Sequence, residues 1–121
     1  MNSSVVLIPS RLNSRRLPSK PLIDINGLPL IIRVAKQVSL SKKVKDFYVC
    51  TDSKEIFDVV ESYNYKAILT SNNHINGTTR IAEAYEKLNK NYDYIVDVQG
   101  DEPFINPSHI DKVIEYHKNC N

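Results

Sequence analysis

The apolar positions of the chain form short continuous runs that alternate with stretches of helical spacing. The first run, residues 5–8, holds four consecutive apolar side chains and predicts a central strand that is covered on both faces. The later runs predict three further strands, at 47–50, 67–69 and 94–98. We therefore expect a sheet of four short strands.

Each predicted strand is followed by apolar residues at helical spacing, which predict four helices. Pro29 is expected at the first helical position of the first helix, and Asp52 or Ser53 is expected to cap the second. The third should start near Thr78, and residues 106–107 should open the fourth. Because strands and helices alternate, we expect an α/β fold of three layers, in which a mostly parallel sheet carries helices on both faces.

Polar and charged residues follow three of the predicted strands. A basic loop follows the first strand, Thr51 and Asp52 follow the second, and residues 99–102 follow the last. Parallel strands present their carboxyl ends at the same edge, which is where such sheets bind ligands. We therefore expect these three segments to meet in one site.

The basic loop, residues 11–20, carries four cations and no glycine. The cations are Arg11, Arg15, Arg16 and Lys20. Because no glycine lets the backbone approach a phosphate, side chains would have to meet the negative charge. Arginine offers a planar fork for two phosphate oxygens and lysine a movable charge, which suits a flexible triphosphate. Charge alone favours the simpler interpretation, a solvated basic loop.

The composition fits one domain with one core. The chain has 121 residues, of which 41% are apolar and 25% charged. A net charge of +2 is too small for a general nucleic-acid or membrane surface, and no segment could span a bilayer. No secretory signal is visible, so we expect a cytoplasmic location. The two cysteines and three histidines are scattered, which gives a zinc site little support.

The basic loop and the strand end before it follow a known signature. Residues 8–22 resemble the N-terminal pattern I-P-A-R-x-x-S-x-R-L-P-x-K-P-L of the 3-deoxy-manno-octulosonate cytidylyltransferases, also called CMP-Kdo synthetases, with Ser10 in place of the small Ala. The resemblance continues over essentially the whole chain through the segments 24–29, 51–52, 74–80 and 98–103. Long, irregular motifs of this kind are far more specific than a lone glycine fingerprint.

The resemblance implies a Rossmann-like nucleotide-diphospho-sugar transferase fold and a nucleotidyl transfer with Mg²⁺ as cofactor. The anomeric hydroxyl of 3-deoxy-D-manno-octulosonate (Kdo) would attack the α-phosphorus of CTP, giving CMP-Kdo and pyrophosphate for lipopolysaccharide biosynthesis. Such a transfer depends mostly on positioning and charge neutralisation. The implied partners are CTP and Kdo, without nucleic acid or membrane. The resemblance also implies that full-length family members form homodimers.

The resemblance also implies roles for individual residues. A catalytic group would contact the phosphates and the metal: Arg11, Arg16, Lys20 and Asp101. In this group Asp101 would be the Mg²⁺ ligand. A second group would bind the substrates: Ser14, Asn76, Gly77, Thr78, Arg80 and Gln99. We expect Gln99 at the sugar acid and the segment 76–80 at the cytosine and ribose.

Some residues depart from the family pattern or allow a purely structural interpretation. Asn76 and Thr79 replace residues of the usual Ser-Gly-Thr-Glu-Arg, and Thr78 or Thr79 could serve only as a helix cap. Arg15 falls at a variable position and is expected to point to solvent. Asp97 stands where Asn is more familiar, and it is given no catalytic role.

Family members are appreciably longer than this chain, and their second part contributes another acidic metal ligand, much of the sugar pocket and the dimer contacts. We therefore expect residues 1–121 to be the CTP-binding N-terminal part of a nucleotidyltransferase domain, with the family's second half absent. Two alternatives stay open. One is a cytidylyltransferase for a related ulosonic acid, such as 8-amino Kdo or a nonulosonate, and the other is a nucleotide-binding module without turnover.

Overall fold

The structure, a computed structural model, describes residues 3–12, 20–71 and 77–120, and in the last range the side chains of 79–115. The strands in this part are β1 (Ser4–Ser10), β2 (Asp24–Ile25), β3 (Leu28–Pro29), β4 (Asp46–Thr51), β5 (Ala67–Leu69) and β6 (Tyr94–Asp97). The α-helices are α1 (Leu30–Ser39), α2 (Lys54–Ser62), α3 (Gly77–Leu88) and α4 (Pro107–Cys120), and a single 3-10 turn covers Lys20–Leu22. None of these helices is long and apolar enough to cross a membrane.

The strand β1 lies inside a parallel sheet whose order, among the described residues, is β5-β4-β1-β6. Ser10 lies beside Thr51 of β4, and Leu7 lies beside Asp97 of β6. The chain runs outward from β1 to β4 and β5 and then crosses back over β1 to β6, so its direction reverses between β1 and β6. Ligands of such sheets bind at the carboxyl ends beside this reversal. The predicted central strand and parallel sheet are confirmed.

Helices cover both faces of this sheet, as the sequence predicts. Val6 and Ile8 of β1 pack in one core with α1, α2 and α4, whereas Val5 and Leu7 pack in a second core with α3. Successive side chains of a strand point to opposite faces, so β1 contributes to both cores. This explains why its sequence is a continuous apolar run.

A small antiparallel hairpin, β2 and β3, precedes α1 where the sequence predicts only a turn. Asn26 and Gly27 turn the chain with φ of 50° and 95°, and the Gly27 N–H donates to Asp24 Oδ2 at 3.1 Å. Pro29 pairs with Asp24 in this hairpin, has an extended ψ of 147° and is the cap of α1, which begins at Leu30. The predicted place of Pro29, at the first helical position, is therefore wrong by one residue.

Side-chain caps begin two of the other helices. The Ser53 Oγ accepts from the Ile56 N–H at 3.2 Å, which makes Ser53, not Asp52, the cap of α2. At the start of α4 the Asn106 Oδ1 accepts from the Ser108 N–H at 2.9 Å. Ser53 follows the end of β4, and Asn106 ends the loop after β6. The two caps therefore mark where the segments at the carboxyl edge of the sheet end and the helices α2 and α4 begin.

Candidate active site

A cation and a carboxylate meet where the segments after β1 and β6 come together. Lys20 Nζ donates to Asp101 Oδ2 at 3.5 Å, although 81 positions separate the two residues. Both side chains stay open to solvent, with 42% and 56% of their surfaces exposed. The fold therefore brings one end of the basic loop and the turn 99–102 to one place, as the sequence predicts.

Gly100 allows the turn 99–102 to rest directly on the end of β1. A Cβ at Gly100 would lie 2.8 Å from the Pro9 carbonyl oxygen and 3.3 Å from Ser10 Cβ. Contact with a backbone atom at the first distance is too short for any side chain, so only glycine fits without movement of β1 or the turn. The next residue along the chain is Asp101, which contacts Lys20. The sequence alone could not show the close approach at Gly100, because it depends on how β6 is placed against β1.

Gln99 is exposed, and its side chain is held by Asp97. Gln99 Nε2 donates to Asp97 Oδ1 at 3.3 Å, and the Glu102 N–H donates to the Gln99 carbonyl at 3.4 Å within the turn. Partial desolvation, and then the negative charge of Glu102, raise the pKa of the Asp97 carboxyl, although the residue as a whole is exposed. Asp97, to which sequence reasoning gave no catalytic role, is thus a neighbour that orients the amide of Gln99.

Arg80 is buried deeply, with 1% of its surface exposed. Its Nη1 donates to Thr70 Oγ1 at 2.7 Å and to the Ser71 carbonyl at 3.3 Å, and its Nη2 lies 3.8 Å from Asp52 Oδ2. A buried guanidinium needs such partners to offset its desolvation. Arg80 therefore joins α3 to the residues that follow β4 and β5, and the expected direct contact with substrate stays a prediction.

Two further hydrogen bonds join α3 to the last residue of β5 and to the segment that follows it. The Ser71 N–H donates to Glu83 Oε2 at 2.9 Å, and Lys87 Nζ donates to the Leu69 carbonyl at 2.7 Å. Lys87 also lies 3.3 Å from Glu83 Oε2. Residues 69–71 are thus held against one side of α3, on the same side as Arg80.

The other predicted site residues are described only in part. Arg11 is exposed and follows β1 directly, while the next residue, Leu12, packs against the core. Gly77 and Thr78 are the first residues of α3. The remaining predicted residues of the loops lie outside the described part of the chain: Ser14, Arg15, Arg16 and Asn76.

The described residues contain neither a reactive cysteine nor a metal cage built from protein ligands alone. Within the described ranges, no three His, Cys, Asp or Glu side chains are grouped so that they could hold a metal ion. Cys50 is buried in β4, and burial raises the pKa of its thiol to about 12, so the thiol is not a nucleophile near neutral pH. A protein cage for zinc is therefore not found among these residues.

Comparison with known proteins decides the family. Residues 5–121 match the model of the family described as cytidylyltransferase. The chain belongs to the cytidylyltransferase family. Curated relatives of this cytidylyltransferase chain include the 3-deoxy-manno-octulosonate cytidylyltransferases of Rickettsia canadensis and Neisseria meningitidis serogroup A. They are 50% and 47% identical to it over 116 residues, which is 94% and 95% of the chain. The family predicted from the motifs is confirmed.

The chain spans about half the length of the curated relatives it matches, since these alignments cover 47% and 46% of the relatives. A similar solved structure is that of CMP:2-keto-3-deoxy-manno-octonic acid synthetase complexed with CTP, with a TM-score of 0.93 and 35% identity. The match covers 98% of this chain and 48% of that one. A cytidylyltransferase from Leptospira borgpetersenii, 21% identical with a TM-score of 0.81 over 96% of the chain and 49% of its own, shares the fold. The predicted fold class is thereby confirmed.

Proposed function

We propose that this protein transfers CMP from CTP to the anomeric hydroxyl of Kdo and releases pyrophosphate. The observation that carries the proposal is the meeting of Lys20 and Asp101 beside the strand reversal, at 3.5 Å, in a chain of the cytidylyltransferase family. The curated relatives bear the name of this activity, and a similar solved structure was complexed with CTP. Residues 1–121 would be the part of the nucleotidyltransferase domain that binds CTP.

The basic loop would bind the triphosphate through Arg11, Arg16 and Lys20. The ion pair between Lys20 and Asp101 is long and exposed, so it contributes about 1 kcal/mol or less to stability. Such a pair separates easily when a ligand offers each partner a stronger contact. Lys20 would then bind a phosphate oxygen and neutralise charge that moves onto the leaving pyrophosphate.

The donor set fits a magnesium site better than a closed metal cage. Mg²⁺ takes one or two carboxylates and completes its octahedron with water and phosphate oxygens, so the half-exposed carboxylate of Asp101 is sufficient as a protein ligand. When bound, Mg²⁺ would supply positive charge to the phosphate oxygens. The carboxylate of Asp97 is engaged by Gln99, which leaves Asp101 as the ligand we propose.

The acceptor would lie beside Gln99. Because Asp97 accepts from Gln99 Nε2, we assign the other amide atom, Oε1, to accept a hydrogen bond from a hydroxyl of Kdo. Asn76, Gly77 and Thr78 would line the cytosine and ribose, and Ser14 would also contact the substrate. Arg80, enclosed by protein groups, would act on this side by holding the segments after β4 and β5 in place.

The match to half of each relative favours a second possibility for the isolated chain, namely CTP binding without turnover. In the whole protein we propose a cytoplasmic homodimer that serves lipopolysaccharide biosynthesis. The test is release of pyrophosphate from CTP in the presence of Mg²⁺, with Kdo, 8-amino Kdo, a nonulosonate or no acceptor. The proposal predicts release that depends on Kdo and is fastest with it. Release that is independent of any acceptor would refute the transfer, and binding of CTP without release would assign the chain to the binding module.

A further inference from the structure

Ser10, the last residue of β1, has a buried hydroxyl that lacks a hydrogen-bond partner among the described residues. Only 4% of the residue is exposed. Buried polar side-chain atoms are nearly always paired, and one that is not weakens the folded state by its lost hydration. Ser10 Oγ is the single side-chain atom of the described residues in this condition.

The position of Ser10 connects it with the candidate site. The backbone of Ser10 lies beside Thr51, and a Cβ built on Gly100 would lie 3.3 Å from the Cβ of Ser10. The next residue, Arg11, opens the basic loop. Ser10 therefore lies between Gly100, which precedes Asp101, and the first residue of the basic loop.

Ser4 shows that β1 can satisfy a buried hydroxyl. It lies on the same face of the strand as Ser10, six positions earlier, and is 3% exposed. Its Oγ donates to the Lys43 carbonyl at 2.7 Å. The same strand thus has a paired hydroxyl at its amino end and an unpaired one at its carboxyl end, where parallel sheets bind ligands.

We propose that Ser10 is a nucleotide-binding residue whose hydroxyl donates a hydrogen bond to an oxygen of bound CTP. This inference rests on the proposed function. The hydroxyl is covered by protein, so its rotation and a small displacement of the turn at Gly100 must accompany binding. The unpaired hydroxyl destabilises the protein without CTP and stabilises the complex with CTP. Removal of the hydroxyl should therefore raise the stability of the protein alone and weaken its binding of CTP. Ser10 is also the residue at which segment 8–22 departs from the family signature, where Ala has no hydroxyl to donate.

The test compares Ser10→Ala with the matched control Ser4→Ala in the full chain. Thermal unfolding without nucleotide should show a melting temperature raised by a few degrees for Ser10→Ala and lowered for Ser4→Ala, because only the control loses a protein hydrogen bond. Calorimetric titration should show a CTP dissociation constant increased roughly 3- to 10-fold for Ser10→Ala, the loss of one hydrogen bond. The control should bind CTP as the unsubstituted chain does.

The outcomes separate this inference from the function on which it rests. If the unsubstituted chain does not bind CTP, both the binding function and this inference are overturned. If it binds CTP and Ser10→Ala binds equally well, only the assignment of Ser10 is overturned. A melting temperature of Ser10→Ala as low as that of Ser4→Ala would also overturn it, since the hydroxyl would then have a protein partner. Titration with CMP locates the contact: weakening with CTP alone assigns it to the pyrophosphate part, and weakening with both assigns it to the nucleoside monophosphate.

Discussion

The backbone of Gly100 comes so close to Pro9 that a Cβ would lie 2.8 Å from the Pro9 carbonyl oxygen. This contact packs the turn after β6 against the end of β1, directly before Asp101 in one segment and directly before Arg11 in the other. Gly100→Ala should destabilise the protein by about 1–3 kcal/mol, as overpacking does, and should weaken CTP binding at least severalfold. Urea unfolding and calorimetric titration measure the two effects.

Gly27 is the matched control for that substitution. It has φ of 95° but nothing lies within 4 Å of a Cβ built on it. Gly27→Ala should therefore cost about 1–2 kcal/mol through backbone strain alone and leave CTP affinity unchanged. Equal effects of the two substitutions on CTP affinity would show that the contact with Pro9 does not organise the site.

Arg80→Met tests whether the buried guanidinium holds the segments after β4 and β5. The substitution keeps most of the apolar stem but leaves Thr70 Oγ1 and the carboxylate of Asp52 without this partner. We expect a loss of about 2–3 kcal/mol in the free energy of unfolding, because hydrogen bonds of a buried charge are strong. The control is Arg33→Met, which removes two bonds from a half-buried Arg33 to backbone carbonyls and should cost less. A loss no greater than that of the control would contradict the role of Arg80.

The raised pKa of Asp97 predicts a pH-dependent stability effect. Asp97 is exposed as a residue, but partial desolvation of its carboxyl group and the charge of Glu102 disfavour the ionised form, so the folded protein holds the proton more tightly than the unfolded chain does. Stability is therefore lost as the pH rises from the pKa of Asp97 in the unfolded chain through its higher pKa in the folded protein. Asp97→Asn should raise the melting temperature at pH 7, and the gain should disappear below about pH 4. A gain that persists in acid would show that charge is not its cause.

For Asp111 we expect stability to change with pH in the direction opposite to that for Asp97. Burial opposes ionisation of Asp111, but the hydrogen bond from Ser41 Oγ and those from the Lys42 and Lys43 N–H groups, at 3.1 and 2.8 Å, lower its pKa overall. Its stabilisation is then present above the unfolded pKa, about 4, and is lost as the pH falls through the folded pKa. Asp111→Asn should cost about 1–3 kcal/mol at pH 7 and less in acid, as followed by urea unfolding. A cost that does not change with pH would contradict this.

The sheet was predictable from the sequence because its two inner strands, β1 and β4, are buried over most of their length. The continuous apolar runs at 5–8 and 47–50 are short and rich in β-branched or aromatic residues, which favours buried strands over helices, and helical spacing between them implies parallel strands. Parallel strands then place the segments that follow them on one edge. This is why the meeting of Lys20 and Asp101 could be expected from residues 81 positions apart.

What the sequence could not show depends on pairing between distant segments. The close approach of Gly100 to Pro9 requires the placement of β6 against β1, and the burial of Arg80 requires partners from the ends of two other strands. The two-residue strands of the hairpin are too short for an apolar pattern to reveal. The sequence signal nearest to it was the turn pair Asn26-Gly27.

The most direct test of the central claim is the effect of Mg²⁺ on the CTP dissociation constant of Asp101→Asn, measured by calorimetric titration. If Asp101 holds the metal at the phosphates, Mg²⁺ should tighten CTP binding to the unsubstituted chain by about tenfold or more, and this gain should vanish in Asp101→Asn. Without Mg²⁺ the variant should bind CTP at least as tightly, because a negative charge beside the phosphates is gone. The matched control is Asp58→Asn, since Asp58 forms an exposed ion pair with Lys54 at 2.6 Å on α2, and it should keep the full gain. An undiminished Mg²⁺ effect in Asp101→Asn would contradict the account.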